Sequence, residues 1–309
     1  MCIDLRPLNQ RIHPQKFRFP LIDDQLDQLH GKCVFTKLDL RDGFHQIKIY
    51  PEDTKYFAFA THKAQFEYTR VPFGYSEAPV EFQKRLFNIL KELLKDGILL
   101  YIDDILIPTA TIEENLKVLK EVLFTLKRYK LKLNLAKCLF LKKKIEFLGY
   151  MVSADGITMS SRHIQAIIDF PQPKTVKEVQ SYLRLTSYFR RFIRDYAVKA
   201  KPLAALTKKN AKFNFDKDCV DLFELLKKEL TSAPVLHIYN PSAATELHTD
   251  ASMHGFGAIL LQKQKYSNWA PIAYFSKATT DTEKRYHSYE LETLAIVKAI
   301  ERFHVYYRA

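Results

Sequence analysis

Two adjacent aspartates, Asp103 and Asp104, interrupt an apolar run from Ile98 to Ile107. Such a run reads as strand and Asp tolerates turn conformations, so the spacing predicts a tight hairpin with the pair at its tip. Two carboxylates about 4 Å apart repel by roughly 4 kcal/mol at an effective dielectric near 20, so an interior pair needs a cation. Hard oxygen donors suit Mg²⁺. By itself Tyr101-Ile102-Asp103-Asp104 equally suits an ordinary exposed turn. A third carboxylate, Asp39, lies in Val34–Leu40, with Leu38 and Leu40 on the opposite face of the expected strand. Unless it is simply the solvent side of that strand, a neighbouring strand can bring Asp39 beside the hairpin tip. Three carboxylates can hold two metal ions about 3.5–4 Å apart, as in-line phosphoryl transfer requires. One ion would activate a primer 3′-hydroxyl, and the other would hold a triphosphate and stabilise its leaving pyrophosphate.

The elements that must position these groups form an α+β layer. Strands are expected at Val34–Leu40 and Phe44–Ile49 around an Asp42-Gly43 turn, at Phe57–Phe59 and Phe66–Tyr68, at Leu131–Leu135 and through Lys144–Val152. A helix is expected from about Ser76, with Pro79 in its first turn and Phe82, Leu86, Ile89 and Leu93 at helical spacing. Thr111 and Glu114 form a capping box before a helix whose expected buried stripe is Leu116, Leu119, Leu123 and Leu126. From about Ser161 the pattern changes to helices joined by proline-containing turns, with a second box at Thr175 and Glu178. A helix over Asp218–Leu230, a Thr-Ser-Ala-Pro linker, strands from Thr245 and a long helix from about Glu283 to Tyr306 complete the chain.

The 309 residues carry a formal charge of +13, which calls for a polyanionic partner. Between Ser161 and Lys212 there are 12 Lys and Arg against 3 Asp and Glu, so this one segment supplies +9. Concentrated charge of this kind recruits phosphate backbones by counterion release, although a solvated helical surface gives the same count. Four separated cysteines, Cys2, Cys33, Cys138 and Cys219, form no CxxC pair, which argues against zinc or a disulfide framework and for a reducing compartment. No apolar run approaches the roughly 20 residues of a membrane helix. The chain reads as intracellular, cytoplasmic or nuclear, with no membrane partner.

Lys37-Leu38-Asp39-Leu40-Arg41-Asp42-Gly43-Phe44-His45-Gln46-Ile47 resembles the first catalytic motif of reverse transcriptases from gypsy-type LTR retrotransposons. Val71-Pro72-Phe73-Gly74-Tyr75-Ser76-Glu77-Ala78-Pro79 resembles their second, Tyr101–Asp104 their third, and Phe147-Leu148-Gly149-Tyr150 their primer-grip turn. The resemblance runs in order over nearly the whole chain. It implies a right-hand polymerase of fingers, palm and thumb followed by a partial RNase H-like α/β domain. The implied boundaries are fingers and palm over 1–155, a helical thumb over 156–210, a connection over 211–242 and the RNase H-like part over 243–309.

It also implies roles. Asp39, Asp103 and Asp104 would bind two Mg²⁺ ions, with Mn²⁺ as a substitute. Phe44 would exclude a ribose 2′-hydroxyl and so favour dNTPs. Phe73 and Gly74 would line the floor under nucleotide and template base, and Arg41, Asp42 and Gly43 would face the triphosphate. Leu148, Gly149 and Tyr150 would position the primer end. Arg190, Arg191 and Arg194, in a stretch similar to the family's thumb signature, would grip an RNA/DNA template–primer duplex by its backbone. Arg184 stands where the family usually has glycine.

Leu247–Ser252 followed by Gly255-Phe256-Gly257-Ala258 resembles the opening of a retrotransposon RNase H domain. Asp250 and Glu292, with Glu290 as runner-up, would be two of its metal ligands, hydrolysing the RNA of an RNA–DNA hybrid. The resemblance places the family's remaining aspartates beyond Ala309 and its triphosphate-gripping lysine and arginine before Met1. Protease and integrase segments are the expected partners in an intact polyprotein. This chain alone is therefore expected to polymerise weakly or not at all, and robust Mg²⁺-dependent primer extension would contradict that. The rival readings are a non-catalytic nucleic-acid-binding remnant and a host RNA-templated polymerase, the latter disfavoured by the trailing RNase H segment.

Overall fold

The computed structural model describes residues 3–209, 211–264 and 268–307, so Met1 and Cys2 of the fingers resemblance lie outside the described residues. The chain divides into two compact units, Met1–Ile145 and Glu146–Ala309.

The first unit runs α1 (Arg6–Asn9), α2 (Ile22–Asp27), β1 (Val34–Asp39), β2 (Ala58–Ala60), β3 (Gln65–Glu67), α3 (Ala78–Lys95), β4 (Leu99–Tyr101), β5 (Asp104–Thr109), α4 (Ile112–Arg128) and β6 (Leu139–Lys142). Its main sheet has the order β4-β5-β1-β6 and is antiparallel throughout. Leu38, Leu40, Ile105 and Ile107 pack one face of that sheet against Phe82, Leu86 and Leu90 of α3 and Leu119, Val122 and Leu126 of α4. Strand alternation leaves Phe35, Lys37 and Asp39 on the other face, where Phe35 and Leu106 are also fully buried while Lys37 and Asp39 stay partly exposed toward the strand end.

Helix α4 begins as its capping signal predicts, with Glu114 N–H donating to Thr111 Oγ1 at 3.2 Å. Its buried stripe is Asn115, Leu119, Val122 and Leu126, whereas Leu116 and Leu123 are exposed, which corrects the expected stripe. Asn115 is the reason for the rotation. Its Oδ1 accepts from Thr36 Oγ1 at 2.6 Å, and its Nδ2 donates to Ile107 O at 2.9 Å and Thr109 Oγ1 at 3.1 Å. Fully buried, it ties α4 to β1 and β5. Asn115→Leu should cost about 2–4 kcal/mol in urea unfolding, because the partners lose their bonds inside the core. A change below about 0.5 kcal/mol would remove this network from the fold's supports.

Two expected strands are absent. Gly43–Gln46 is a 3-10 turn, entered through Asp42 in the left-handed region (φ 53°). The Gln46 amide holds it there, accepting from Lys132 N at 2.7 Å and donating to the carbonyls of Lys132 and Arg41. Leu131–Leu135 is likewise irregular beyond a single bridge, Leu133 to Leu40, because Lys130 turns the chain at φ 58°.

The hairpin partners β7 (Lys144–Phe147), which spans the boundary, and β8 (Tyr150–Ser153) form a sheet with β9 (Gly156–Met159), in the order β7-β8-β9. Helices α5 (Ser161–Ile168), α6 (Val176–Tyr188), α7 (Tyr196–Lys199), α8 (Lys201–Ala205) and α9 (Lys217–Thr231) follow. An antiparallel sheet of β10 (Thr245–Ser252), β11 (Gly255–Lys263) and β12 (Trp269–Ala278) then packs against α10 (Ser288–Phe303). Among the described residues no helix is long and apolar enough to cross a membrane.

Candidate active site

Strands β1 and β5 pair so that Asp39 stands directly opposite Asp104. Directly opposed residues point to one face of the sheet, with Cα atoms roughly 4.5–5.5 Å apart. Asp103 sits at the tip of the two-residue turn joining β4 to β5, closed by the Tyr101–Asp104 pair. Asp39 and Asp104 therefore share one face of the sheet, with Asp103 next to Asp104 in the turn. Asp39 and Asp103 line one cavity of about 250 Å³, together with Leu40, Asp42, Gly43, Phe44, Phe73, Asn134 and Lys137.

The turn is strained and braced. Ile102, a β-branched residue, has φ 55°, a conformation costing of order 1–3 kcal/mol that persists only when the surroundings enforce it. Here α3 does so. Gln83, 1% exposed, accepts from Ile102 N at 2.5 Å through Oε1 and donates from Nε2 to Leu100 O at 3.4 Å. The sequence reading missed Gln83, since nothing in a helical run marks which glutamine faces a hairpin.

Two lysines answer the negative charge. Lys37 Nζ lies 3.0 Å from Asp104 Oδ2, with both side chains mostly buried, and Lys137 Nζ lies 3.9 Å from Asp39 Oδ2. Burial raises the Asp104 carboxyl above its ordinary value; Lys37 opposes the rise, while Asp103 and Asp39 add to it. A carboxyl raised on folding contributes stability at low pH that is lost as pH climbs through its folded value. In EDTA, Asp104→Asn should thus melt higher than wild type near neutral pH, and the gap should close below about pH 4. A lower melting temperature at neutral pH would show that the Lys37 pair outweighs burial.

Among the described residues, no three His, Cys, Asp or Glu side chains already stand in ligating geometry. The donor chemistry nevertheless fits a hard divalent ion: carboxylates on adjoining strands and the turn between them, with lysines set against the charge and no Cys or His among the described residues that line the cavity.

Phe44 lies in the cavity wall, its ring 5.7 Å from those of Phe73 and Phe82. Arg41 is exposed and pairs with Asp42 at 3.4 Å, outside the cavity lining. Gly74, also outside that lining, sits in a turn held by Asn9, whose Nδ2 donates to Gly74 O at 2.8 Å and whose Oδ1 accepts from Ser76 N at 3.0 Å.

In the second unit, Arg190 and Arg194 are exposed, but Arg191 is buried and donates to Ile272 O on β12 at 3.4 Å. This corrects its assignment as a phosphate contact, because its guanidinium faces a strand carbonyl. Glu290 caps the helix start, accepting from His287 N at 2.8 Å; both it and Glu292, two residues on, are exposed. Asp250 pairs with Gly257, and a Cβ at Gly257 would collide with the carboxylate of Asp195. Alternation turns Leu247 and Ala251 toward α10, so Asp250 projects to the opposite face, the one over which Asp195 lies.

Residues 1–152 match the family described as reverse transcriptase (RNA-dependent DNA polymerase), and residues 215–309 match the RNase H-like domain found in reverse transcriptase. The chain is 40% identical over 308 residues to the retrovirus-related Pol polyprotein from transposon 297 of Drosophila melanogaster. It is 34% identical over 306 residues to the transposon Tf2-3 polyprotein of Schizosaccharomyces pombe. In both cases 99% of this chain is covered, yet it spans only 28% and 23% of their lengths. Among solved structures it is similar to the foamy viral protease-reverse transcriptase dRH in complex with double-stranded DNA, at 26% identity and TM-score 0.87 over 97% of this chain and 52% of that one. The same enzyme in complex with RNA/DNA hybrid matches at 25% identity and TM-score 0.82 over 97% and 40%. With both segments matched in this order, the chain carries a reverse transcriptase domain followed by an RNase H-like domain.

Proposed function

We propose that the chain is the catalytic region of an RNA-directed DNA polymerase from a gypsy-type LTR retrotransposon, with an RNase H-like domain directed at the RNA of an RNA–DNA hybrid. The observation that carries this reading is the placement of Asp39 opposite Asp104, with Asp103 at the adjoining tip. Asp39, Asp103 and Asp104 would hold a pair of Mg²⁺ ions, which would supply Lewis acidity for attack of a primer 3′-hydroxyl on a dNTP and for departure of pyrophosphate.

The chain's own residues do the rest. Asp39 and Asp103 make one wall of the cavity anionic, and Lys37 and Lys137 limit the repulsion that assembling them costs. Phe44 is wedged between Phe73 and Phe82, so its ring presents a fixed edge where a 2′-hydroxyl would sit. Exposed Arg190 and Arg194 are suited to the phosphates of a template–primer duplex. In the RNase H-like domain Asp250 is proposed to hold metal, but not together with Glu292, because Asp250 projects away from α10, the helix that carries Glu292.

The test is primer extension on poly(rA)–oligo(dT) with Mg²⁺, by this chain and by this chain joined to the flanking segments of its relatives. Incorporation of dTTP in strong preference to UTP is expected from the joined form. Hybrid binding without incorporation by either form would leave only a non-catalytic nucleic-acid-binding protein.

A further inference from the structure

The turn between β7 and β8 is held from outside its own hairpin. Leu148 and Gly149 both have positive φ, 49° and 81°, the geometry of a two-residue turn that matches strand twist. Tyr188, the last residue of α6, donates its hydroxyl to Leu148 O at 2.7 Å. Ser160 N donates to Gly149 O at 3.1 Å. In return the Tyr150 hydroxyl donates to Tyr188 O at 3.2 Å, and the two rings stack at 5.6 Å. A Cβ on Gly149 would meet His163 Cε1 at 3.0 Å and Tyr188 Cε1 at 3.6 Å. His163 is itself fixed, by Ser160 Oγ at 2.8 Å and by an edge contact on Phe189.

A hairpin with so few strand residues has little stability of its own, so its tip adopts the orientation that external contacts impose. Tyr188 supplies the only side-chain hydroxyl seen on the Leu148 carbonyl among the described residues, from a helix end rather than from the sheet. The ring stays half exposed, so its place is set by this bond and by the Tyr150 stack more than by core packing.

We infer that Tyr188 is a positioning residue that registers the Leu148–Gly149 turn, and through it a primer 3′ end, to the end of helix α6. The inference rests on the proposed reading of Leu148-Gly149-Tyr150 as the primer-positioning turn. It adds that the register of the primer end is set by the helical segment rather than by the hairpin that touches it.

The test uses an RNA/DNA hybrid with 2-aminopurine as the primer-terminal nucleotide, bound to the full chain without catalysis. Wild type should change the 2-aminopurine emission on binding. Tyr188→Phe, which keeps the stacking ring, should bind the hybrid within roughly two-fold of wild type. It should also keep its melting temperature, yet lose most of that emission change. Gly149→Ala, which pushes the turn off His163, should reproduce the loss. If both variants bind and retain the full emission change, the role of Tyr188 is overturned while the primer-grip reading stands. If wild type binds with no change at the primer end, the primer-grip reading falls, and this inference with it.

Discussion

Replacing Asp39 by Asn abolishes dNTP incorporation, to about 10³-fold below wild type or less, while the protein melts no lower. The two halves of this expectation come from the same geometry. Asp39 faces Asp104 across the β1–β5 ladder, and like charges directly opposite destabilise a sheet. Asn keeps the shape and removes one charge from that pair. The backbone around it is secured independently, by Asn134 N donating to Asp39 O at 2.9 Å and by the β5 pairing. Stability is thus expected to hold or rise. Catalysis loses a fixed anion aimed at the reacting centre, a loss on the order of 4 kcal/mol of barrier, or three decades in rate. Single-turnover incorporation and thermal melting, measured on one preparation of the chain joined to the flanking segments of its relatives, separate the two. A parallel loss of melting temperature and rate would mean that Asp39 is a scaffold residue.

The residues legible in the sequence were those whose chemistry conflicts with their surroundings. Asp39 and the Asp103–Asp104 pair interrupt apolar strands, and a carboxylate in such a run demands an explanation that strand alternation then locates. The capping boxes at Thr111 and Thr175 were legible for a related reason, since each satisfies bonds within four residues of chain. What the sequence hid depends on partners far away along the chain. Lys37 reads as an ordinary strand lysine until β5 lays Asp104 beside it. Asn115 reads as the polar side of α4 until Thr36 draws it inward and rotates Leu116 and Leu123 to the surface. Phe44–Ile49 alternates like a strand, yet the Gln46 amide bonds with Lys132, 86 residues on, fold its start into a tight turn. Arg191 counts as positive charge in any composition, but it is spent inside the second unit on the carbonyl of Ile272. Local signals therefore pointed to the charged apex proposed as the catalytic site, and tertiary contacts determined what holds that apex still.

Gln83 is where that difference has the largest consequence, and Gln83→Leu should both weaken the fold and slow the enzyme. Leucine fills a similar volume in the α3–hairpin contact, so packing is roughly conserved. The amide's two bonds are not replaced: Ile102 N–H and Leu100 O lose their side-chain partner in a buried setting. Each buried group left unsatisfied costs about 1–3 kcal/mol, so urea unfolding should report a loss of roughly 2–4 kcal/mol. The kinetic effect follows from the strain at Ile102, whose φ of 55° is unfavourable for a β-branched residue. Without the Gln83 brace the turn can relax, and Asp103 at its tip moves with it. A displacement near 1 Å at a reacting centre can cost about 10²-fold in rate. Gln83→Glu separates the two contributions. It can still accept from Ile102 N but cannot donate to Leu100 O, so it should recover more of the rate than of the stability. Equal rates for wild type and Gln83→Leu would show that the hairpin holds its strained turn without help from α3.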